Sequence, residues 1–299
     1  MSQSPLLARL RRGDTVVSDG ALGTMLIARG LQTGKCTESA TLEHPDWIEE
    51  IASAYLAAGA EIIQTNTFGA SPPRLAVYGL EDQTEKINTT GVRLARRAVG
   101  SRALVMASCG PTGLAAGLES TLPFEAVEKA YERQFSALFS TGVDLVLVET
   151  MCDVVEATIA IKTAKRLEAS VPVLATMVFD QTPQGFRTLR GVTVAEACRR
   201  LADAGADVIG SNCSRGAAQM VEIAREFQRH STVPLTMRPH AGIPVNRDNH
   251  LVYPETPEFM ARHAAEMLDS GVQIIGGCCG TTPEHIRALR ALVDQRKKR

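Results

Sequence analysis

The sequence predicts a single (β/α)8 TIM barrel spanning residues 1–299, on three observations. Eight short apolar runs alternate with longer stretches whose apolar residues recur every three to four positions. Each short run is nearly continuous, as expected for strands buried on both faces of a parallel sheet. A joint that stops a helix and starts a strand recurs four times, at Gly59, Gly142, Gly205 and Gly271.

The expected strands cover residues 15–19, 61–66, 103–108, 144–149, 173–179, 207–212, 235–238 and 273–276. Between them the helical spacing runs through Ala52, Leu56 and Ala57, then residues 126–139, 154–167, 194–201, 217–227 and 259–268. The four glycine joints, each followed by an apolar strand, suit every second βα unit. Eight units in a chain of 299 residues match a barrel, typically about 250 residues. An open doubly wound sheet is the rival, and it would bind its ligand at a switch point. No Gly-, Ser- or Pro-rich linker divides the chain, so one domain is expected.

Composition removes several functions. Net charge is −1 and aromatics are 4% with one Trp, which leaves neither a field nor a stacking surface for nucleic acid. No apolar run approaches the roughly 20 residues that cross a bilayer. The first twelve residues, with Leu6, Leu7 and Leu10 set among arginines, read as a short surface helix rather than a signal peptide. Seven cysteines, an odd number in a chain large enough to fold without disulfides, point to a reducing, cytoplasmic setting.

A barrel gathers its chemistry where strands end and βα loops begin. Asp19-Gly20-Ala21, Thr65-Asn66-Thr67, Gly110-Pro111-Thr112-Gly113, Glu149-Thr150, Asn212-Cys213, Arg238-Pro239-His240 and Gly276-Gly277-Cys278-Cys279-Gly280 all fall there. Cys213, Cys278 and Cys279 would share one mouth, and three thiolates can bind Zn²⁺ while leaving a fourth position open. Cys36, Cys109, Cys152 and Cys198 read as packing residues, Cys198 among Ala195, Ala197 and Leu201. Glu149 ends an apolar strand, where a buried carboxylate calls for a cation such as a ligand ammonium. Asp19 fits either a turn former or a site residue. His44, His230, His263 and His285 read as surface residues and His250 has no assigned place, so only His240 lies at a strand end.

These stretches, with Asp19–Thr24, Thr65–Ala70, Glu149–Met151, Gly210–Cys213 and Gly276–Pro283, resemble the zinc-dependent homocysteine S-methyltransferase family. Its relatives include betaine–homocysteine methyltransferase and the homocysteine-binding module of cobalamin-dependent methionine synthase. The resemblance implies a barrel in which Cys213, Cys278 and Cys279 hold zinc and homocysteine sulfur takes the fourth place. It also implies that Asp19 and Glu149 hold the amino group, and backbone N–H groups near Gly20 and Ala21 the carboxylate.

The chain departs from that pattern at His240, where Asn is common, at Thr150, where betaine enzymes tend to have Tyr, and at Gln64, where Glu is frequent. His240 is the candidate fourth ligand of the resting state. The segments 19–30 and 79–80 lean toward methionine synthase, yet a chain ending at Arg299 leaves no room for folate or cobalamin domains or a long C-terminal arm. Residues 296–299 read as a solvated tail. The methyl donor is expected to be a sulfonium, a betaine, or a corrinoid on a separate protein. No Gly-rich dinucleotide loop follows the first strand to suggest S-adenosylmethionine on a nucleotide-binding sheet. A zinc hydrolase barrel, a non-catalytic homocysteine-binding or corrinoid-docking module, and a phosphate-binding barrel with Gly276-Gly277 as its cradle are the alternatives.

Overall fold

The computed structural model describes residues 4–114, 123–214, 216–247 and 250–297. Eight parallel strands carry the fold: β1 (Val16–Val17), β2 (Ile62–Gln64), β3 (Leu104–Cys109), β4 (Leu145–Met151), β5 (Val173–Met177), β6 (Val208–Cys213), β7 (Leu235–Pro239) and β8 (Val272–Ile275). Their order is β1-β8-β7-β6-β5-β4-β3-β2. A parallel bridge between Ser18 and Ile62 joins the two ends of that series. Glu61 N–H donates to the Val17 carbonyl at 2.8 Å, and Asp19 N–H to that of Ile62 at 3.0 Å. A sheet that returns on itself is a barrel, so the open doubly wound alternative is excluded. Eight outer helices follow the strands: Pro45–Ala57, Thr84–Val99, Phe124–Phe139, Val154–Leu167, Val194–Asp203, Ala217–His230, Pro257–Asp269 and Pro283–Lys297.

The repeated glycine joints have a purpose beyond ending helices. Gly59, Gly142, Gly205 and Gly271 take φ of 96°, 82°, 101° and 79°, in the left-handed region, and precede β2, β4, β6 and β8. Two residues later, a carboxylate in three of the copies accepts the N–H of the neighbouring odd strand. Glu61 accepts from Val17 at 3.1 Å, Asp144 from Val105 at 2.7 Å and Asp207 from Val173 at 2.8 Å. Each carboxylate also meets a cation, Glu61 with Arg9 and Arg290, Asp144 with Arg96, and Asp207 with Lys165. The fourth copy has Gln273, which reaches the Leu10 carbonyl instead, at 2.6 Å.

Two apolar layers result. The larger lies between sheet and helices. A smaller one fills the barrel, with Val16, Ile62, Met106, Leu145, Leu147, Leu174, Val208 and Ile274 meeting Leu6 and Leu10. The helix Pro5–Arg11 is therefore a plug at the amino-terminal end of the barrel, not the surface helix expected. Leu6 and Leu10, one helical turn apart, are 1% and 3% exposed, and each such burial contributes about 1.5–3 kcal/mol.

Two antiparallel strand pairs, Asp180–Thr182 with Gly185–Arg187 and Val245–Arg247 with His250–Val252, extend the loops after β5 and β7. The sequence reading did not anticipate them, and it carried the fifth strand to residue 179, where the structure ends β5 at Met177. His285, expected at the surface, is buried, and its Nε2 pairs with the Glu255 carbonyl at 2.9 Å. Of the expected tail at 296–299, Lys298 and Arg299 lie outside the described residues. Among the described residues no helix is long and apolar enough to cross a membrane.

Candidate active site

The three sulfurs singled out at strand ends meet. Cys213 closes β6, Cys278 and Cys279 follow β8, and their Sγ atoms all lie within 4.8 Å of one another. Cys213 and Cys278 are 2.9 Å apart, and neither is in a disulfide. No other trio of His, Cys, Asp or Glu donors is as close among the described residues. Thiolates at about 2.3 Å from a tetrahedral zinc stand about 3.8 Å from one another, so the cluster is of the right size. Cys213 and Ser214 have φ of 57° and 62°, an uncommon backbone for such residues and typical of functional strand ends.

The donor set suits a soft dication on electrostatic grounds too. Hydrogen bonds from Cys213 and Cys278 pull the Cys279 thiol down, and contacts with Cys278 and Cys279 push that of Cys213 far up. The cluster by itself favours one thiolate, and removing further protons from so small a volume needs a cation beside it.

Glu149 sits where β4 loses register with β5, between Val148 and Met151. A bulge re-aims side chains, and here Thr150 takes φ of 59°. Asn212 clamps the irregular turn: its Oδ1 accepts from Thr150 N–H at 2.8 Å, and its Nδ2 donates to Thr150 Oγ1 at 2.8 Å. Glu149 itself accepts from the Ser108 hydroxyl and from Asn212 Nδ2 at 3.3 Å. Burial pushes its carboxyl up despite the pull of Arg238.

Asp19 is held differently. Its Oδ1 accepts from Arg238 Nη2 at 2.9 Å and its Oδ2 from Gln64 N–H at 2.7 Å. Burial pushes the carboxyl up to about 7 against the pull of Arg238. Gln64 bridges this pair to the next turn, accepting from Arg238 Nη2 at 3.1 Å and donating to the Gly20 carbonyl at 2.8 Å. A side chain at Gly20 would collide with Thr281 Oγ1 and the Tyr55 hydroxyl. Ala21 N–H already donates to Thr281 Oγ1 at 3.0 Å.

A cavity of about 330 Å³ opens over these groups, large enough for a small metabolite. Glu149, Arg238, Ala21 and all three cysteines line it, and Asp19, itself buried, is bonded to Arg238 of that wall. Glu38 and Phe68 also line the cavity, with Glu38 Oε1 accepting Gly69 N–H at 2.8 Å. His240, the candidate fourth ligand, is buried and its Nε2 engages the Ser214 carbonyl; it is not one of the three residues that form the cluster. Sequence reasoning gave Arg238 and Glu38 no role. For Arg238 a signal existed, since arginine inside an apolar strand such as Leu235–Pro239 is rarely buried without a partner.

The chain matches a family model described as homocysteine S-methyltransferase over residues 16–293. Among curated relatives, methionine synthase of Mycobacterium tuberculosis is 32% identical over 302 aligned residues, which cover 95% of this chain and 25% of that protein. Methionine synthase of Mycobacterium leprae is 32% identical over 297, covering 93% and 24%. The chain thus spans about a quarter of the length of these relatives. Among solved structures, the homocysteine methyltransferase MmuM from Escherichia coli in its metallated form superposes with a TM-score of 0.81 at 26% identity, covering 96% of this chain and 99% of that one. A methyltransferase from Methanosarcina mazei shares the fold, with a TM-score of 0.64 at 13% identity, covering 98% of each chain.

Proposed function

The chain belongs to the homocysteine S-methyltransferase family, and from that premise we propose that it transfers a methyl group to the thiol of homocysteine in a zinc-dependent reaction, giving methionine. The observation that carries this reading is the three-sulfur cluster in the wall of a cavity that also holds Glu149. Cys213, Cys278 and Cys279 would hold the zinc, which when bound keeps a coordinated substrate thiol deprotonated at neutral pH.

The protein's own groups do the rest. Glu149, buried and supplied only with neutral donors by Ser108 and Asn212, takes the substrate ammonium. Asp19, which also holds Arg238, shares the ammonium with Glu149, and backbone N–H groups near Gly20 and Ala21 take the carboxylate. Asn212 keeps Glu149 and Cys278 in a fixed relation through contacts to both. Held in this way, the substrate sulfur attacks the donor methyl carbon, a carbon–sulfur bond forms, and the bond to the leaving atom breaks with its electron pair going to that atom. A sulfonium, a betaine or a corrinoid on a separate protein would each satisfy that requirement. The stretch 1–299 works as one barrel domain in the cytoplasm, with neither nucleic acid nor membrane as partner.

Reduced, zinc-loaded protein assayed for methionine across a panel of those donors tests the proposal. Methionine from at least one donor, abolished by chelation, is expected. Homocysteine binding without turnover on any donor would make this a capture module. Hydrolysis of esters or amides with no homocysteine consumed would make it a hydrolase.

A further inference from the structure

Asn212 faces more hydrogen-bond acceptors than its amide has hydrogens. Its orientation is fixed, because Thr150 N–H donates to Oδ1 at 2.8 Å and a backbone N–H cannot pair with the amide nitrogen. Nδ2 then carries two hydrogens and meets three acceptors: Thr150 Oγ1 at 2.8 Å, Glu149 Oε2 at 3.3 Å and Cys278 Sγ at 3.7 Å. Thr150 engages both ends of the amide, so it takes the hydrogen on the Oδ1 side. The second hydrogen is left to the carboxylate and the sulfur together, and both of those contacts are long.

Strand order explains how one side chain reaches both. β5 separates β6 from β4, and β7 separates β6 from β8. Asn212, wholly buried near the end of β6, thus stands between the strand that bears Glu149 and the loop that carries Cys278.

A ligand would change how the second hydrogen is shared. Among the described residues, Glu149 Oε1 is held by the Ser108 hydroxyl, whereas Oε2 has the 3.3 Å bond from Asn212. An ionised carboxylate draws an N–H more strongly than a neutral acceptor does, and an ammonium seated on it competes for the same oxygen. The hydrogen released from that oxygen has the sulfur as its remaining acceptor. Outer contacts of this kind, which withdraw charge from a thiolate ligand, tune a metal site.

We infer that Asn212 is a positioning residue that couples the two halves of the site: an ammonium on Glu149 turns the second N–H of Asn212 to Cys278. The sulfur centre is thereby readied when an α-amino acid is in place, and a thiol without an ammonium leaves the N–H with the carboxylate. The inference rests on the homocysteine reading and goes beyond it.

The test uses reduced protein loaded with a spin-active cadmium isotope and labelled at asparagine nitrogen. Magnetic coupling from a side-chain N–H across a cysteine sulfur to the metal reports that hydrogen bond directly. At Asn212 it should grow about 2-fold or more with saturating L-norvaline, in which methyl replaces the thiol of homocysteine, as a shared hydrogen becomes the sulfur's alone. Pentanoate, which lacks the ammonium, should leave it unchanged. Glu149→Gln should show the larger coupling with no ligand added, because a neutral amide oxygen competes less for the N–H. Equal coupling in wild type with and without bound L-norvaline, or only the smaller coupling in Glu149→Gln, overturns the inference, and methionine formation by wild type would still leave the homocysteine reading standing. Cadmium held by none of the three sulfurs would sink both. If L-norvaline does not bind, the variant decides; if the variant does not fold, the titration of wild type decides.

Discussion

Arg238 on β7 and Asp19 after β1 form an ion pair of 2.9 Å with both side chains at most 3% exposed. The strand between them, β8, is followed by Gly276, where a side chain would collide with Ser18 and the Asp19 carbonyl. The pair therefore reaches across the barrel mouth above a strand end kept bare, and it ties together the two strands that flank β8.

That pairing has a pH signature. Burial raises the Asp19 carboxyl from an ordinary 3.8 to about 7, so the folded state holds this proton more tightly than the unfolded chain. The associated stability is fully present below about pH 4 and is lost as pH rises through 7. Urea midpoints measured from pH 4.5 to 8 should decline along this limb, and Asp19→Asn should flatten it. An unchanged slope in the variant would mean that Arg238 keeps Asp19 ionised throughout.

Cys278→Ser should abolish stoichiometric metal, read by elemental analysis of reduced protein, and methyl transfer with it. Cys152→Ser, half-buried and outside the cluster, serves as the control and should retain both. Full metal content in Cys278→Ser would remove the three-sulfur centre from the reaction.

His240 engages the Ser214 carbonyl through Nε2, and reaching a metal at the sulfurs would require giving up that bond. X-ray absorption of the zinc-loaded, substrate-free protein should thus show the same shell in wild type and His240→Ala. A nitrogen scatterer present in wild type and missing from the variant would put His240 on the metal after all.

Leu10→Ala should lower unfolding stability by about 2–4 kcal/mol, the range for a buried leucine whose cavity cannot fully collapse, with the KM for homocysteine unchanged. Leu10 closes the end of the barrel opposite the cysteines, so the two effects separate. A variant as stable as wild type would return the first helix to the surface.

Much of the site was legible because strand ends are local features. The runs ending at Glu149, Cys213 and Gly276 could be seen in the sequence, and a barrel sends such ends to one mouth. Arg238 and Gln64 were harder to read. Each is polar at the end of an apolar strand, and nothing nearby in the chain says that Arg238 will meet Asp19, 219 residues away. Leu6 and Leu10 showed the same limit, since arginines on either side look the same whether the leucines plug a barrel or lie on its surface.

The sequence by itself determined the eight-unit order, the carboxylates that follow the glycine joints, and the three cysteines at strand ends. These depend on backbone preferences and apolar runs spanning a few residues. Only the tertiary structure decided that Asp19 pairs with Arg238, that His240 faces Ser214, and that the first helix seals the barrel. Those relations depend on how the ring closes and which inward side chains then face each other across it, and that is a property of the closed sheet and of no single segment.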